Sequence, residues 1–365
     1  MNRLVIVGNG FDLAHGLPTS YNHFVDHYFT SVAKNLETKY SHEDDLLRAS
    51  TTIGNFKTFN INSFEKFKEA KEQKLLRAEF NNSFFETMVF QKFENWVGIE
   101  ELYYNTLTSI VQDQIRARTF LDISTRREFS RKARELNEKF DQVKTHFHNY
   151  LVSEVKERYE FRTLQEFIGP FYSDYHTFNP LTLKLANIYP LERICILNFN
   201  YTKLANLYLT KGLQSKGSIC INIHGELESQ INPIVFGYGD ERDHAFYLLE
   251  DLGIDDLLVN IKSIWYHKSY NYWQISEFLK SKPFEIVILG HSCGMSDRTL
   301  LSWIFEHKNC VRLRPYYYGG IDGFDKLTIN ISRNFENKET QRKVFQFDQA
   351  LVFPSGQLNI QNRTK

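Results

Sequence analysis

The sequence predicts an α/β fold: a mainly parallel sheet covered by helices, interrupted after its first strand by a large α-helical insertion. Two textures carry this expectation. Short apolar runs ending in small polar loops occur at residues 4–7 and, after Arg193, at 194–197, 219–223, 234–236, 284–289, 311–313 and 327–331. Helical stretches such as 202–213 and 298–307 separate several of these runs, the βαβ pattern of a parallel sheet. In between, residues 21–190 show almost no strand signal. Residues 1–20 plus 191–365 therefore read as one α/β domain, and residues 21–190 as a helical insertion domain.

The first strand is four apolar residues running into Gly8, as expected for a strand buried on both faces. Inside the insertion, Phe129, Ala133, Leu136, Phe140, Val143, Phe147, Leu151 and Val155 recur at alternating steps of four and three. That spacing lays one apolar stripe along a helix whose opposite face carries Arg, Lys and Glu, and it reads as core packing. Residues 84–104 have a helical pattern too, whereas residues 41–62 are polar and read as loop.

Composition narrows the function classes. Lys plus Arg and Asp plus Glu both total 44, so the net charge is zero, and no basic run or clustered carboxylate motif stands out. A nucleic-acid partner is not expected on that balance. The 31 Phe and 20 Tyr are read as aromatic core packing in preference to a base-stacking platform. No apolar run reaches the roughly 18 residues of a bilayer-spanning helix, so no membrane partner is expected. The N-terminus is broken by a glycine loop after four apolar residues, so no signal peptide is expected. Cys195, Cys220, Cys293 and Cys310 form no CxxC pair and read as free thiols in a reducing, cytoplasmic setting, with no metal expected.

Four loops sit where parallel strands end, the place where ligands bind open sheets. The first, Gly8-Asn9-Gly10-Phe11-Asp12 with Gly16 and Pro18 beyond, has glycines that let backbone approach a phosphate. Its spacing is not the dehydrogenase GxGxxG, since Leu13 holds the third glycine position. The second, Asn198-Phe199-Asn200-Tyr201-Thr202, offers amides to ribose or water; Asn200 reads as functional and Asn198 as structural. The third, His224-Gly225, places an imidazole as a general base at a strand end.

The fourth runs from Gly290, His291, Ser292 and Cys293 to Asp297. Its first five residues match GxSxG, the nucleophile elbow, so a serine hydrolase using Ser292 is an alternative. Chain order counts against it, because the one histidine downstream of Ser292 is His307, fifteen residues on, with no acid-bearing strand between.

Together these loops resemble the AbiH family of bacterial phage abortive-infection proteins. The resemblance extends to Asn200-Tyr201-Thr202, His224-Gly225, the segment from Phe236 to Asp240, Gly290-His291-Ser292 and, less distinctively, Trp96 and Glu100. The same loops look like a remote, reduced sirtuin pattern, which implies a sirtuin-like, Rossmann-like domain for NAD. On that resemblance Gly8, Gly10 and Gly16 shape the phosphate loop, Asn200 positions ribose or water, His224 is the base, and Gly290 and Ser292 touch the far side of the nucleotide. The sirtuin CxxC zinc module is absent. Asp12 stands where sirtuins carry Ser, and Thr202 where they carry Asp.

The resemblance therefore implies phage defence through NAD or a related nucleotide, as substrate of nicotinamide–ribose hydrolysis or, alternatively, as a sensed ligand. In the second case a nucleotide or ADP-ribose would be held uncleaved, with signalling through the helical domain. That domain would act as lid, sensor or oligomer surface. A phage-derived trigger or partner protein, and self-association into a homo-oligomer, are compatible with either reading.

Overall fold

The computed structural model describes residues 1–52, 60–93, 95–117, 122–172, 191–211, 217–266, 269–345 and 352–353. In chain order its strands are β1 (Asn2–Val7), β2 (Ser41–Glu43), β3 (Leu47–Thr51), β4 (Leu76–Phe80), β5 (Ile194–Asn198), β6 (Ile219–Asn222), β7 (Phe284–Leu289) and β8 (Cys310–Tyr316). The first six helices are α1 (Asn9–Ala14), α2 (Tyr21–Lys39), α3 (Phe64–Glu72), α4 (Ser83–Gln91), α5 (Trp96–Ala117) and α6 (Ile123–Tyr150). The chain divides into two compact units. One comprises Met1–Leu17, Lys156–Asp243 and Ile261–Lys365; the other, Pro18–Val155 and His244–Asn260.

The first unit holds a five-stranded sheet in the order β6-β5-β1-β7-β8, every pair parallel. Every residue of β1, β5 and β7 is buried, as their apolar runs require. Leu4, Ile6, Cys195, Leu197, Ile286 and Ile288 contribute to a core that includes Ile275, Phe278 and Leu279, and Leu300, Leu301, Ile304 and Phe305. Arg3, of opposite parity to Leu4 and Ile6, lies on the other face of the sheet. It is fully buried, donates from Nε to Glu285 Oε1 at 2.6 Å, and donates from Nη1 to the Phe171 carbonyl at 2.8 Å.

Because β5 and β6 extend the sheet from one side of β1, and β7 and β8 from the other, the strand order reverses between β1 and β7. The carboxyl ends flanking that reversal are where an open parallel sheet presents a crevice.

Two apolar runs are not strands. Residues 327–331 lie inside the helix Gly320–Arg333, where Phe324, Leu327 and Ile331 at steps of three and four make a helical face, with Ile331 fully buried. Around 234–236 the pairing is an isolated bridge between Tyr238 and Ile261.

The second unit is largely helical. The predicted stripe is buried throughout: Phe129, Ala133, Leu136, Phe140, Val143 and Phe147 on α6, and Leu151 and Val155 on the π-helical turn that follows it. The unit also contains an antiparallel sheet, β2-β3-β4, where residues 41–62 were expected to be loop; residues 53–59 lie outside the described residues. These strands escape a hydrophobicity reading because just Leu47 and Ala49 of β3, and Leu76 of β4, reach the interior fully.

The expected helical segment ran to residue 190. Residues 173–190 of that segment lie outside the described residues, and the compact helical unit comprises Pro18–Val155 and His244–Asn260. That piece is tied to α6 by Arg126 Nη2 on the Gly253 carbonyl (2.9 Å), Asn137 Nδ2 on the Asp256 carbonyl (2.8 Å) and Lys144 Nζ on Asn260 Oδ1 (2.7 Å). Among the described residues no helix is long and apolar enough to cross a membrane.

Candidate functional site

The loops after β1 and β7 meet at the strand-order reversal, backbone against backbone. A Cβ at Gly290 would stand 2.2 Å from the Phe11 nitrogen, and one at Gly8 2.5 Å from His291 Cα. Gly290 also adopts φ +67°, so two constraints require glycine there. The amides are engaged as well. Gly8 N–H donates to the Leu289 carbonyl (3.0 Å), Gly10 N–H to that of Gly290 (2.9 Å) and Phe11 N–H to that of Gly8 (2.9 Å). The junction is thus a close splice of two loops whose donors are already satisfied.

Asn9 opens α1 and is half-buried. The ring of Phe11 is fully buried among His15, Phe167, Phe171 and Tyr208. Gly16 takes φ +76° at the turn after α1. Pro18 belongs to the helical unit, where its carbonyl accepts from Tyr150 Oη at 2.6 Å.

Asp12 is 1 % exposed, and its carboxylate is directed at the loop after β5. Asn200 Nδ2 donates to Asp12 Oδ1 at 2.9 Å, and Thr202 Oγ1 donates to Oδ2 at 2.8 Å. Burial pushes the Asp12 carboxyl up to about 7, against the downward pull of Thr202 and Asn200. Asn200 Nδ2 also donates to the Gly8 carbonyl (3.1 Å), so β1 and β5 are clamped at their carboxyl ends. With its amide nitrogen held inward, Asn200 turns its carbonyl oxygen the other way. Asn198 is structural in geometry, donating to the Thr202 carbonyl and to Asn222 Oδ1, both at 2.9 Å.

The third loop carries the densest chemistry. His224 follows β6, 6 % exposed, and Gly225 beside it takes φ +86° where a Cβ would stand 2.1 Å from the Pro233 carbonyl oxygen. His224 Nε2 lies 3.1 Å from Asp297 Oδ1 and 3.4 Å from Tyr266 Oη. Lys262 Nζ donates to the same Asp297 oxygen at 3.0 Å, and His291 Nε2 lies 3.6 Å from Oδ2. The Cys293 N–H donates to His291 Nδ1 (3.0 Å), which leaves the ring proton on Nε2, toward the carboxylate. Phe199 walls both imidazoles, with ring centroids 4.9 Å from His224 and 4.2 Å from His291.

Burial pulls His224 down to about 4, and the Lys262 charge adds to it against the opposing pull of Asp297. Burial alone would raise Asp297. The Lys262 charge and the His224 and His291 contacts outweigh it and hold the carboxyl well below its usual range. The result at neutral pH is a buried Lys⁺–Asp⁻ pair with a neutral imidazole fixed against it, its Nε2–H on Asp297 and its lone pair on Nδ1.

Ser292 is exposed, and its carbonyl accepts from Asn330 Nδ2 at 2.9 Å. Besides Gly290, the positive φ in this loop, +54°, falls on Cys293, whereas a nucleophile elbow strains the serine itself. Asp297 occupies the N-cap of the helix Arg298–Phe305 without a side-chain cap bond, because its carboxylate is turned into the cluster.

Of the predicted residues, the structure brings together Gly8, Gly10, Asp12 and Asn200 around β1, and His224, His291 and Asp297 around one carboxylate. Sequence reasoning missed Lys262 and Tyr266. One available signal was the apolar setting of Lys262, between Ile261 and Ile264-Trp265. Asp240 was also missed as a pairing residue; it is 2 % exposed and bridges Arg298 Nη1 at 3.1 Å.

A five-stranded parallel sheet defines the class, an α/β protein, and a buried His–Asp–Lys cluster lies among its strand-end loops. Residues 4–318 match the family model for bacteriophage abortive infection AbiH, and the chain belongs to that family. A search of curated proteins finds no match.

Proposed function

We propose that the α/β unit serves phage defence by binding NAD or a related nucleotide in a Rossmann-like, sirtuin-like manner and hydrolysing its nicotinamide–ribose bond. The family match supports the setting in abortive infection. The observation that carries the chemistry is the neutral His224 held by Asp297 at the strand ends that also present Asn200.

In this reading the C1′–N bond breaks and nicotinamide leaves with its electron pair. A water oxygen bonds to C1′, and the water's proton passes to His224 Nδ1 and on to solvent. Asp297, hydrogen-bonded at Nε2, stabilises the imidazolium formed in that step. The Asn200 carbonyl oxygen orients the water or a ribose hydroxyl. The engaged amides of Gly8, Gly10 and Phe11 give the nucleotide shape and contact; hydrogen bonds come from side chains.

The commitment of the Asn200 amide to Asp12 and Gly8 favours one second reading, a sensor that holds NAD or ADP-ribose uncleaved. Mass spectrometry of NAD and ADP-ribose in bacteria expressing wild type or His224→Ala, before and during infection, separates the two. NAD loss in wild type alone is the expected result. Unchanged NAD in both strains, with protection intact, removes the hydrolase reading and leaves the sensor.

A further inference from the structure

We propose that the helical unit carries a binding site for one divalent first-row transition-metal ion, of the zinc or manganese class, ligated by Asp44, Asp45 and His146. Asp44 and Asp45 lie between β2 and β3, and His146 projects from α6. One donor atom from each lies within 4.8 Å of the other two. His146 Nε2 is 2.6 Å from Asp45 Oδ1. Around a tetrahedral zinc with ligand bonds of about 2.0–2.2 Å, neighbouring donors sit roughly 3.3 Å apart, so small side-chain rotations suffice to admit the ion.

Three further observations point to a cation. First, among the described residues the cationic contacts of these two carboxylates are to histidine alone, His42 for Asp44 and His146 for Asp45, with no Lys or Arg. Two adjacent negative charges thus face each other across titratable imidazoles without a fixed counter-charge.

Second, the group is preorganised. The Leu46 and Leu47 amides donate to Asp44 Oδ1 at 2.8 Å, and Tyr28 Oη donates to both Asp44 oxygens at 3.0 Å. The Tyr28 ring stands edge-on between His146 and His42, with centroids 5.7 and 6.2 Å away. His42 Nε2 meets Asp44 Oδ2 at 3.0 Å while Asn35 fixes its Nδ1, an arrangement suited to orienting a ligating carboxylate.

Third, a cavity of about 190 Å³ opens on the group, lined by His27, His42, Asp44, His146, Asn149 and Ser153 among others. Three protein ligands leave coordination positions open, and this cavity, which Asp44 and His146 help to line, has room for the waters or small anion that would fill them. The imidazole in the donor set selects the transition ions over calcium or magnesium, which prefer all-oxygen shells.

The test is metal content and calorimetric titration of the full chain with Zn²⁺ and with Mn²⁺ after chelator treatment. Wild type and His224→Ala are expected to bind about one equivalent of at least one ion. His146→Gln and Asp45→Asn, both at partly exposed positions, should bind it at least tenfold more weakly while melting like wild type without metal. Should either variant fail to fold, Mn²⁺-induced broadening of the His146 and Tyr28 ring resonances in wild type decides the matter. Absence of stoichiometric binding of both ions, wild-type affinity in folded His146→Gln, or His146 resonances unbroadened at an Mn²⁺ level that calorimetry shows to be bound overturns the site.

Discussion

His224 and Lys262 converge on a single acceptor: both reach Oδ1 of Asp297, at 3.1 and 3.0 Å, in a pocket that leaves Lys262 1 % exposed. Two donors on one oxygen divide the work. The lysine carries the charge that makes a buried carboxylate tolerable, and the histidine, denied a second proton, keeps a basic nitrogen. Removing either therefore has a different expected signature.

Lys262→Met should destabilise the fold by about 3–5 kcal/mol, because it strands the Asp297 charge in the interior. Asp297→Asn should cost a comparable amount by stranding the ammonium. In the double variant Lys262→Met/Asp297→Asn the loss should fall well short of the sum, read from denaturant midpoints in a double-mutant cycle. Additive losses below about 1 kcal/mol each would show that the pair is hydrated and contributes little.

The pH dependence of stability has a sign that can be worked out. His15 and His224 are both held down to about 4 by burial, so between pH 6.5 and 4 the unfolded chain takes up protons that the fold refuses. Each contributes stability that is lost as pH falls through that window, at about 1.4 kcal/mol per pH unit at most. Asp12, raised from 3.8 to about 7, works the other way: the fold holds a proton that the unfolded chain releases, so its contribution fades as pH rises through 7. Relative to wild type, Asp12→Asn should steepen the acid-side loss by about 1.4 kcal/mol per pH unit and His224→Gln should flatten it by a similar amount. Chemical denaturation at pH 4.5, 5.5 and 6.5 measures both slopes; parallel slopes in all three proteins would refute the assignment.

Gly290→Ala should lose roughly 3 kcal/mol or more, since its Cβ would press on the Phe11 amide at φ +67°. Gly169→Ala is the control, with nothing within 4 Å of the added carbon, and should be neutral or slightly stabilising. Equal melting temperatures for the two variants would mean that the β1 and β7 loops separate easily.

If His224 is the base, purified His224→Gln should turn NAD over at least ~100-fold more slowly than wild type. Turnover in Asp12→Asn, which removes the neighbouring group held up at about 7, should be flat from pH 6 to 8, because an imidazole held down to about 4 is neutral across that range. A rise in rate through pH 6.5 would instead mark a solvated histidine as the base.

The sheet was legible where its strands carry near-continuous apolar runs. Residues 4–7 and 284–289 announce buried parallel strands, and the stripe from Phe129 to Val155 announces a helix, because period and burial agree in each. Legibility failed where one face alone is buried and the strand is short: β2 and β3 show Ser-His-Glu and Leu-Arg-Ala-Ser-Thr, which hydropathy cannot tell from loop. Residues 327–331 failed for the opposite reason, since Ile329 and Ile331 alternate like a strand although Ile329 is 51 % exposed on a helix. At the site, glycines and strand-end polar residues pointed to Asn200, His224 and His291. Lys262 stayed hidden because lysine on a sequence reads as surface. Asp44 and Asp45 stayed hidden because their histidine lies about a hundred residues away.

The central position of β1 also sets a timetable for biosynthesis. Its neighbours in the sheet are Ile194–Asn198 and Phe284–Leu289, so Val5 meets Ile196 and Val287 as partners. At a ribosomal rate of about 5–20 residues per second, β1 waits roughly 10–40 s for its first partner and longer for its second. Throughout that interval the apolar run Leu4–Val7 lacks its strand partners, an invitation to chaperone capture or to aggregation. The complete five-stranded sheet cannot assemble before synthesis has passed Tyr316, nor the cluster around Asp297 before it has passed that aspartate.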